Sequence, residues 1–292
     1  MSKRIENKVS RTAGGVCTVR AVSSYENFIF KSDDHIARIF CPPFLNWAVK
    51  ISAVRTFFKN HVFPRGGYEY LIARTKLIDE VFKKHSRSFE QVLILGAGFD
   101  SRAIRFKSQL QHATVFELDA PITQKAKTDR LRRKKIELPA NVRFLPINFN
   151  KDLLPQKLAE AGFKKDLTCL FLLEGITMYL SQEAIDATFS LIREYSGKNS
   201  LLVFDYVYAS ALRQENIYYG EKEHYRAFET AGEHLTFGIE RGQVKNFLAQ
   251  YNFELLDELD ADRSEKQFFT DKKGKLLGRV TGMFSIVTAR KR

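Results

Sequence analysis

The chain has 292 residues, 44% of them hydrophobic and 28% charged, and its 47 Lys and Arg against 34 Asp and Glu give a formal net charge of +13. That is enough apolar material for the core of one sizeable globular α/β domain, and Cys17, Cys41 and Cys169, odd in number and without a CxxC pair, point to neither a disulfide framework nor a zinc site. No apolar stretch approaches the length of a membrane span and MSKRIENKVS holds no apolar signal core, so the expectation is a cytoplasmic protein with no membrane partner.

Residues 1–88 read as a mostly helical cap, broken at Pro42, Pro43 and the run Pro64, Arg65, Gly66, Gly67. One of its helices, YLIARTKLID, has an apolar face of Leu71, Leu77 and Ile78. From Gln91 onward short β-like runs alternate with helical stretches. Strands are expected near 91–95, 113–118, 142–147, 168–173 and 200–206, with helices near 101–110, 121–135, 152–161 and 181–195. The last helix is the best marked: Ser181 is an N-cap candidate, Glu183 lies in the first turn, and Ile185, Phe189 and Ile192 make an apolar stripe. This alternation predicts a doubly wound, mostly parallel sheet. After Tyr206 it stops. Residues 207–250 read as an insertion over the carboxyl edge of the sheet, followed by a closing strand pair near 251–260 and 283–289. One domain over 1–292 results: cap 1–88, core 89–206, insertion 207–250 and closing strands 251–292.

The chemistry concentrates at the strand ends. In QVLILGAGFDSR an apolar run enters a turn in which Gly96 and Gly98 let the backbone approach a ligand closely, at the edge where open α/β sheets bind nucleotides. Asp100 closes the turn, either as a cap for the next helix or as a contact to a cofactor amino group. The next strand, TVFEL, carries Glu117 and is followed by Asp119, and an acid at this tip is placed to accept hydrogen bonds from ribose hydroxyls. NAD and S-adenosylmethionine both fit. Ser101 stands where the dinucleotide fingerprint has its third glycine, which weakens the NAD reading. Glu174 and Gly175 follow CLFLL, and a charge directly after a dry strand needs a partner or a ligand; Tyr179 comes shortly afterwards. Arg74 is either a paired surface arginine or a fork for a carboxylate, which S-adenosylmethionine has and NAD lacks.

Other signals are weaker. The six histidines show no metal-ligand spacing, although His224 and His234 of the insertion could face a substrate. No GxSxG supports a hydrolase triad. Cys41-Pro42-Pro43-Phe44 lacks the side-chain carbonyl with which amino methyltransferases hold an amino group in a similar loop. Residues 125–135, KAKTDRLRRKK, hold seven Lys or Arg and read as a solvated outer helix face; the alternative, a polyanion footprint, has no base-reading motif beside it. No nucleic-acid partner is therefore expected.

Five segments, SRTAGGVCTVRA (10–21), ARTKLID (73–79), LGAGFDSR (95–102), FELDAP (116–121) and LEGITMYLS (173–181), occur in an order and spacing that resemble the leucine carboxyl methyltransferase-like group of S-adenosylmethionine-dependent methyltransferases, which includes bacterial members linked to polyketide O-methylation. The resemblance implies a class I, Rossmann-like methyltransferase fold. It implies further that Arg74 holds the cofactor's carboxylate, that Gly96 and Gly98 line its methionine and ribose portion, that Asp119 with Glu117 binds ribose, and that Glu174 is a further cofactor-site acid. Asn148 and Phe149 stand where the family usually carries Asp-Leu near the adenine, and Asn still offers a side-chain carbonyl there. A carboxylate acceptor is ionised at pH 7 and needs no general base, and the sequence names no catalytic residue. The reading is an O-methyltransferase acting on a carboxylate or acidic hydroxyl of a small molecule or peptide. The alternatives are an NAD-linked oxidoreductase and a basic nucleic-acid-binding module.

Overall fold

The alternation that begins at Gln91 becomes a parallel sheet in the computed structural model, which describes residues 11–147 and 152–292. Among these residues the strands are β1 (Gln91–Leu95), β2 (Thr114–Asp119), β3 (Val142–Pro146), β4 (Cys169–Leu173), β5 (Leu201–Val207), β6 (Phe253–Leu259) and β7 (Phe284–Lys291). They form one sheet in the order β3-β2-β1-β4-β5-β7-β6. The first five pair parallel, and β7 lies antiparallel to both β5 and β6. This is a Rossmann-like fold. β1, β4 and β5 are buried at every position, which is why QVLIL, CLFLL and LLVFDYV run nearly continuously apolar instead of alternating.

The cap contributes α1 (Arg11–Ser23), α2 (Ala37–Phe40), α3 (Pro43–Ala48), α4 (Ser52–Phe57) and α5 (Gly67–His85). The core adds α6 (Arg102–Arg105), α7 (Lys107–Leu110), α8 (Pro121–Arg133), α9 (Leu154–Glu160) and α10 (Gln182–Tyr195). Beyond β5 come α11 (Ala209–Leu212), α12 (Glu221–Ala231) and α13 (Val244–Gln250), with α14 (Ala261–Phe268) between β6 and β7. Successive residues of β1 serve opposite faces. Leu93 and Leu95 join Phe116, Phe171, Phe189 and Phe204 on one side, while Val92 and Ile94 join Ile78 and Phe82 of α5 on the other. That packing carries α5, and with it Arg74, against the sheet.

The single helix expected over 101–110 is two short ones. Phe106 leaves the helical region at φ −103° and stacks its ring on Phe82 at 5.3 Å, so core packing overrides local helix continuity. α10 forms as its sequence dictates: Ser181 accepts a hydrogen bond from the Ala184 N–H at 3.3 Å, and Ile185, Phe189 and Ile192 are fully buried. The basic stretch 125–135 is not uniformly an outer face. Lys127 is buried against Glu117 and Arg130 donates to the Phe40 carbonyl at 2.6 Å, whereas Lys125, Arg132, Arg133, Lys134 and Lys135 are exposed. Among the described residues no helix is long and apolar enough to cross a membrane.

Candidate functional site

The strand order reverses between β1 and β4, the switch point at which open α/β sheets form their ligand crevice, and the glycine turn and the segment after β4 both lie at these carboxyl ends. Gly98 and Gly175 both have positive φ, +50° and +67°. A Cβ on Gly98 would lie 3.1 Å from that of Ala13 in α1, and one on Gly175 would lie 3.1 Å from Nη1 of Arg74. Any L side chain at either place would be both strained and crowded. Thus α1 packs on the glycine turn, and the α5 arginine packs on the segment after β4.

Asp119 stands at the β2 tip and accepts hydrogen bonds from the N–H groups of Gly98 and, at 2.6 Å, Ala120. The acid and the turn are therefore one tied unit. Burial pushes its carboxyl upward against those hydrogen bonds. Glu117, two residues earlier, is separated from it in role: it is 2% exposed and paired with Lys127 of α8. Asp100 takes both of its possible neighbours on the protein side, accepting from the backbone N–H of Arg102 at 2.6 Å and pairing with that residue's guanidinium. Burial alone would raise the Asp100 carboxyl, but Arg102, Arg20 and Lys127 outweigh it and hold it well below the usual carboxylate range. Asn148 and Phe149 lie outside the described residues.

Beneath the crevice runs a chain of buried charges. Arg74 places Nη1 2.5 Å from Asp205 of β5 and Nε 3.1 Å from Glu174. Asp205 also accepts from the Tyr70 hydroxyl and from the Gly175 N–H, each at 2.6 Å. Arg102, fully buried, reaches Glu174 at 2.7 Å and Asp79 of α5 at 2.9 Å. Arg105 forks onto Asp79 at 2.6 and 2.8 Å. Arg20 of α1 lies 3.4 Å from Asp34 and donates to the Phe99 carbonyl at 2.9 Å. Burial would raise Glu174, yet Arg102, Arg74 and Arg20 together lower it, so it is ionised beside the glycine turn. Charges this deep persist because each is paired. Two of the three Arg74 nitrogens face the protein's own carboxylates, so a two-bonded fork onto a ligand would require one of those partners to yield.

Sequence reasoning missed Asp205, Asp79, Arg102 and Arg20 as members of this assembly. A signal for Asp205 was present: it interrupts LLVF and YVY as Glu174 ends CLFLL, and the same need for a partner applies. At the edge of the site Tyr179 donates to Glu233 at 2.9 Å, and Thr12 of α1 donates to the other oxygen of that carboxylate. Burial, then Glu233, pushes the Tyr179 phenol well above its ordinary value, which leaves it a hydrogen-bond donor. His224 does not serve the crevice. It is buried with Nδ1 2.8 Å from the Gly220 carbonyl and Nε2 toward Gly67, and burial pushes it down to about 4, while His234 is exposed. Among the described residues no group of three or more His, Cys, Asp or Glu is arranged to hold a metal ion.

Comparison with known proteins bears on the same segments. The family model described as leucine carboxyl methyltransferase matches residues 13–193, a span that runs from α1 into α10 and takes in the glycine turn, Asp119 and Glu174. A candidate S-adenosyl-L-methionine-dependent methyltransferase of Bacillus subtilis is 25% identical over 187 residues, covering 64% of this chain and 61% of that protein. One from Mycobacterium avium is 35% identical over 137 residues, 47% of this chain and 43% of its own length. The chain thus spans 43% to 61% of the length of these curated relatives. Among solved structures, a candidate methyltransferase from Thermobifida fusca aligns over 94% of both chains with a TM-score of 0.58 at 14% identity, a likeness of fold.

Proposed function

This chain belongs to the leucine carboxyl methyltransferase family, and from that premise we propose that it is an S-adenosylmethionine-dependent O-methyltransferase whose acceptor is a carboxylate or acidic hydroxyl of a small molecule or peptide. The observation that carries the reading is the crevice itself. A glycine turn tied to Asp119 faces an ionised Glu174 backed by Arg74 at the β1–β4 switch point. Gly96 has a positive φ, +67°, and a Cβ there would come within 2.9 Å of the Ile176 side chain, so the turn and the Ile176 packed on it both require glycine.

In this reading Asp119 accepts the ribose hydroxyls and the turn backbone follows the methionine and ribose portion. Glu174 attracts the cationic amino end, and Arg74, held by Glu174 and Asp205, offers positive charge to the carboxylate. When bound, S-adenosylmethionine supplies a sulfonium methyl that an acceptor oxygen lone pair displaces, the C–S electron pair leaving on the thioether sulfur. The protein's task is then to orient the acceptor and exclude water. A carboxylate acceptor brings its charge with it at pH 7, which suits a rim where Tyr179 is kept protonated.

Calorimetric titration with S-adenosylhomocysteine and with NAD tests the cofactor, with micromolar binding of the former expected. Transfer of labelled methyl to a panel of carboxylates, phenols and amines tests the acceptor. Label released as methanol by mild base marks a methyl ester. Binding of NAD alone would overturn the cofactor reading, and label confined to nitrogen or carbon would overturn O-methylation.

A further inference from the structure

Residues 35–68 contain no Asp or Glu and carry Arg38, Lys50, Arg55, Lys59 and Arg65, of which Arg55, Lys59 and Arg65 pair with Glu26, Glu69 and Glu223 from elsewhere in the chain. The same span holds large apolar side chains open to solvent: Phe44 is 73% exposed, Trp47 69% and Phe57 57%, with Ile51 and Val62 nearly half exposed. These short helices are apolar on two sides. Val49, Leu45, Phe58 and Phe63 pack inward against the cap core, while Phe44, Trp47 and Ile51, spaced three and four residues apart, point away from it. Arg55 binds the outer group together, since its guanidinium donates to the carbonyls of Val49 and Lys50, both at 2.9 Å, and so fixes α4 onto the end of α3.

The exposed cations at the end of α8 border this surface. Arg130 donates to the carbonyl of Phe40, just before α3, and Leu45 of α3 and Ile136 beyond α8 pack on one cluster with Phe40, Cys41, Phe99 and Leu131. Arg132, Arg133, Lys134 and Lys135 therefore rim a patch of Phe, Trp and Ile. Large exposed apolar patches mark contact surfaces. A second copy of the chain is a poor occupant, because a two-fold contact would set the exposed Arg133, Lys134 and Lys135 of one copy's rim against those of the other. An anionic bilayer satisfies both features: aromatic and aliphatic side chains enter the headgroup region while Lys and Arg meet lipid phosphates. Lying on a bilayer needs no spanning helix.

We propose that the α3–α4 face, with the basic end of α8, docks the protein onto anionic membrane surfaces. Trp47 is the only tryptophan in the chain, so the intact protein reports on its own docking. Vesicles of phosphatidylglycerol and phosphatidylcholine should shift Trp47 emission to the blue, and brominated acyl chains should quench it. Vesicles of phosphatidylcholine alone should bind at least about tenfold more weakly, and salt should reverse binding to the anionic ones. Phe44→Ser with Phe57→Ser, and separately Arg133→Glu with Lys134→Glu, should each lower vesicle partitioning about tenfold or more. Both pairs are exposed, so unchanged thermal melting is expected and verifies the fold. Absence of a shift with anionic vesicles overturns the proposal, as does equal binding to both vesicle types. A shift that follows protein concentration without lipid assigns the face to a second copy instead. Binding without bromolipid quenching places the contact elsewhere on the chain and also overturns it.

Discussion

Asp205→Asn tests whether the charge chain beneath the crevice is as tightly coupled as its distances indicate. The carboxylate is 1% exposed and accepts from Arg74 at 2.5 Å and Tyr70 at 2.6 Å on one oxygen, and from the Gly175 N–H at 2.6 Å on the other. An amide of the same shape keeps one acceptor and turns the other into a donor. It must therefore aim N–H either at Arg74 and Tyr70 or at the Gly175 N–H, a clash of donors in each case. Breaking a buried ion pair from one side costs about 3–5 kcal/mol. Arg74 retains Glu174 at 3.1 Å, which moderates the loss, so about 2–4 kcal/mol is expected. At roughly 2–4 °C per kcal/mol for a domain of this size, the melting temperature should fall by about 4–16 °C. Urea unfolding at neutral pH measures the loss through the midpoint at constant slope. Arg74→Met made in both backgrounds completes a cycle, with a coupling of about 1–3 kcal/mol expected. A loss below about 0.5 kcal/mol for Asp205→Asn, the scale of an ordinary surface substitution, would refute the reasoning.

His224 is held at about 4 against an ordinary 6.5 by burial, so its contribution is complete above pH 6.5 and is lost as pH falls toward 4, up to about 3 kcal/mol. His224→Leu should flatten the stability profile across that window, and an unchanged slope would assign the acid sensitivity to other groups. Asp119→Ala should weaken S-adenosylhomocysteine binding by about 1–3 kcal/mol in calorimetry, because it removes the anchor of the glycine turn and, in the proposed binding mode, the ribose acceptor; unaltered affinity would place the ribose contact elsewhere. Arg74→Lys keeps a charge but loses the planar fork, and it should weaken S-adenosylhomocysteine by about 1 kcal/mol more than methylthioadenosine, which lacks the carboxylate. Equal losses for the two ligands would confine Arg74 to its pairs with Glu174 and Asp205.

Local pattern determined the sheet and the place of the crevice. Strands buried on both faces must be continuous apolar runs, so β1, β4 and β5 lie within a residue of where QVLIL, CLFLL and LLVFDYV put them, and Ser181 marks the start of α10 because its hydroxyl caps a backbone three residues away. Gly96, Gly98 and Asp119 were legible for the same reason: the turn and the strand tip are local features of a strand end. Which partner each acid takes was not local. Glu117 and Asp119 are equivalent in the pattern, yet Glu117 is consumed by Lys127 and Asp100 by Arg102, while Arg74 finds Asp205 at a distance of 131 residues along the chain. A buried charge is defined by its partner, and the partner is supplied by whichever element packs opposite. The same holds for Phe44 and Trp47, whose apolar character predicts burial, and which only the packing of α3 and α4, with their inner faces already filled by Leu45, Val49 and Phe58, leaves facing outward.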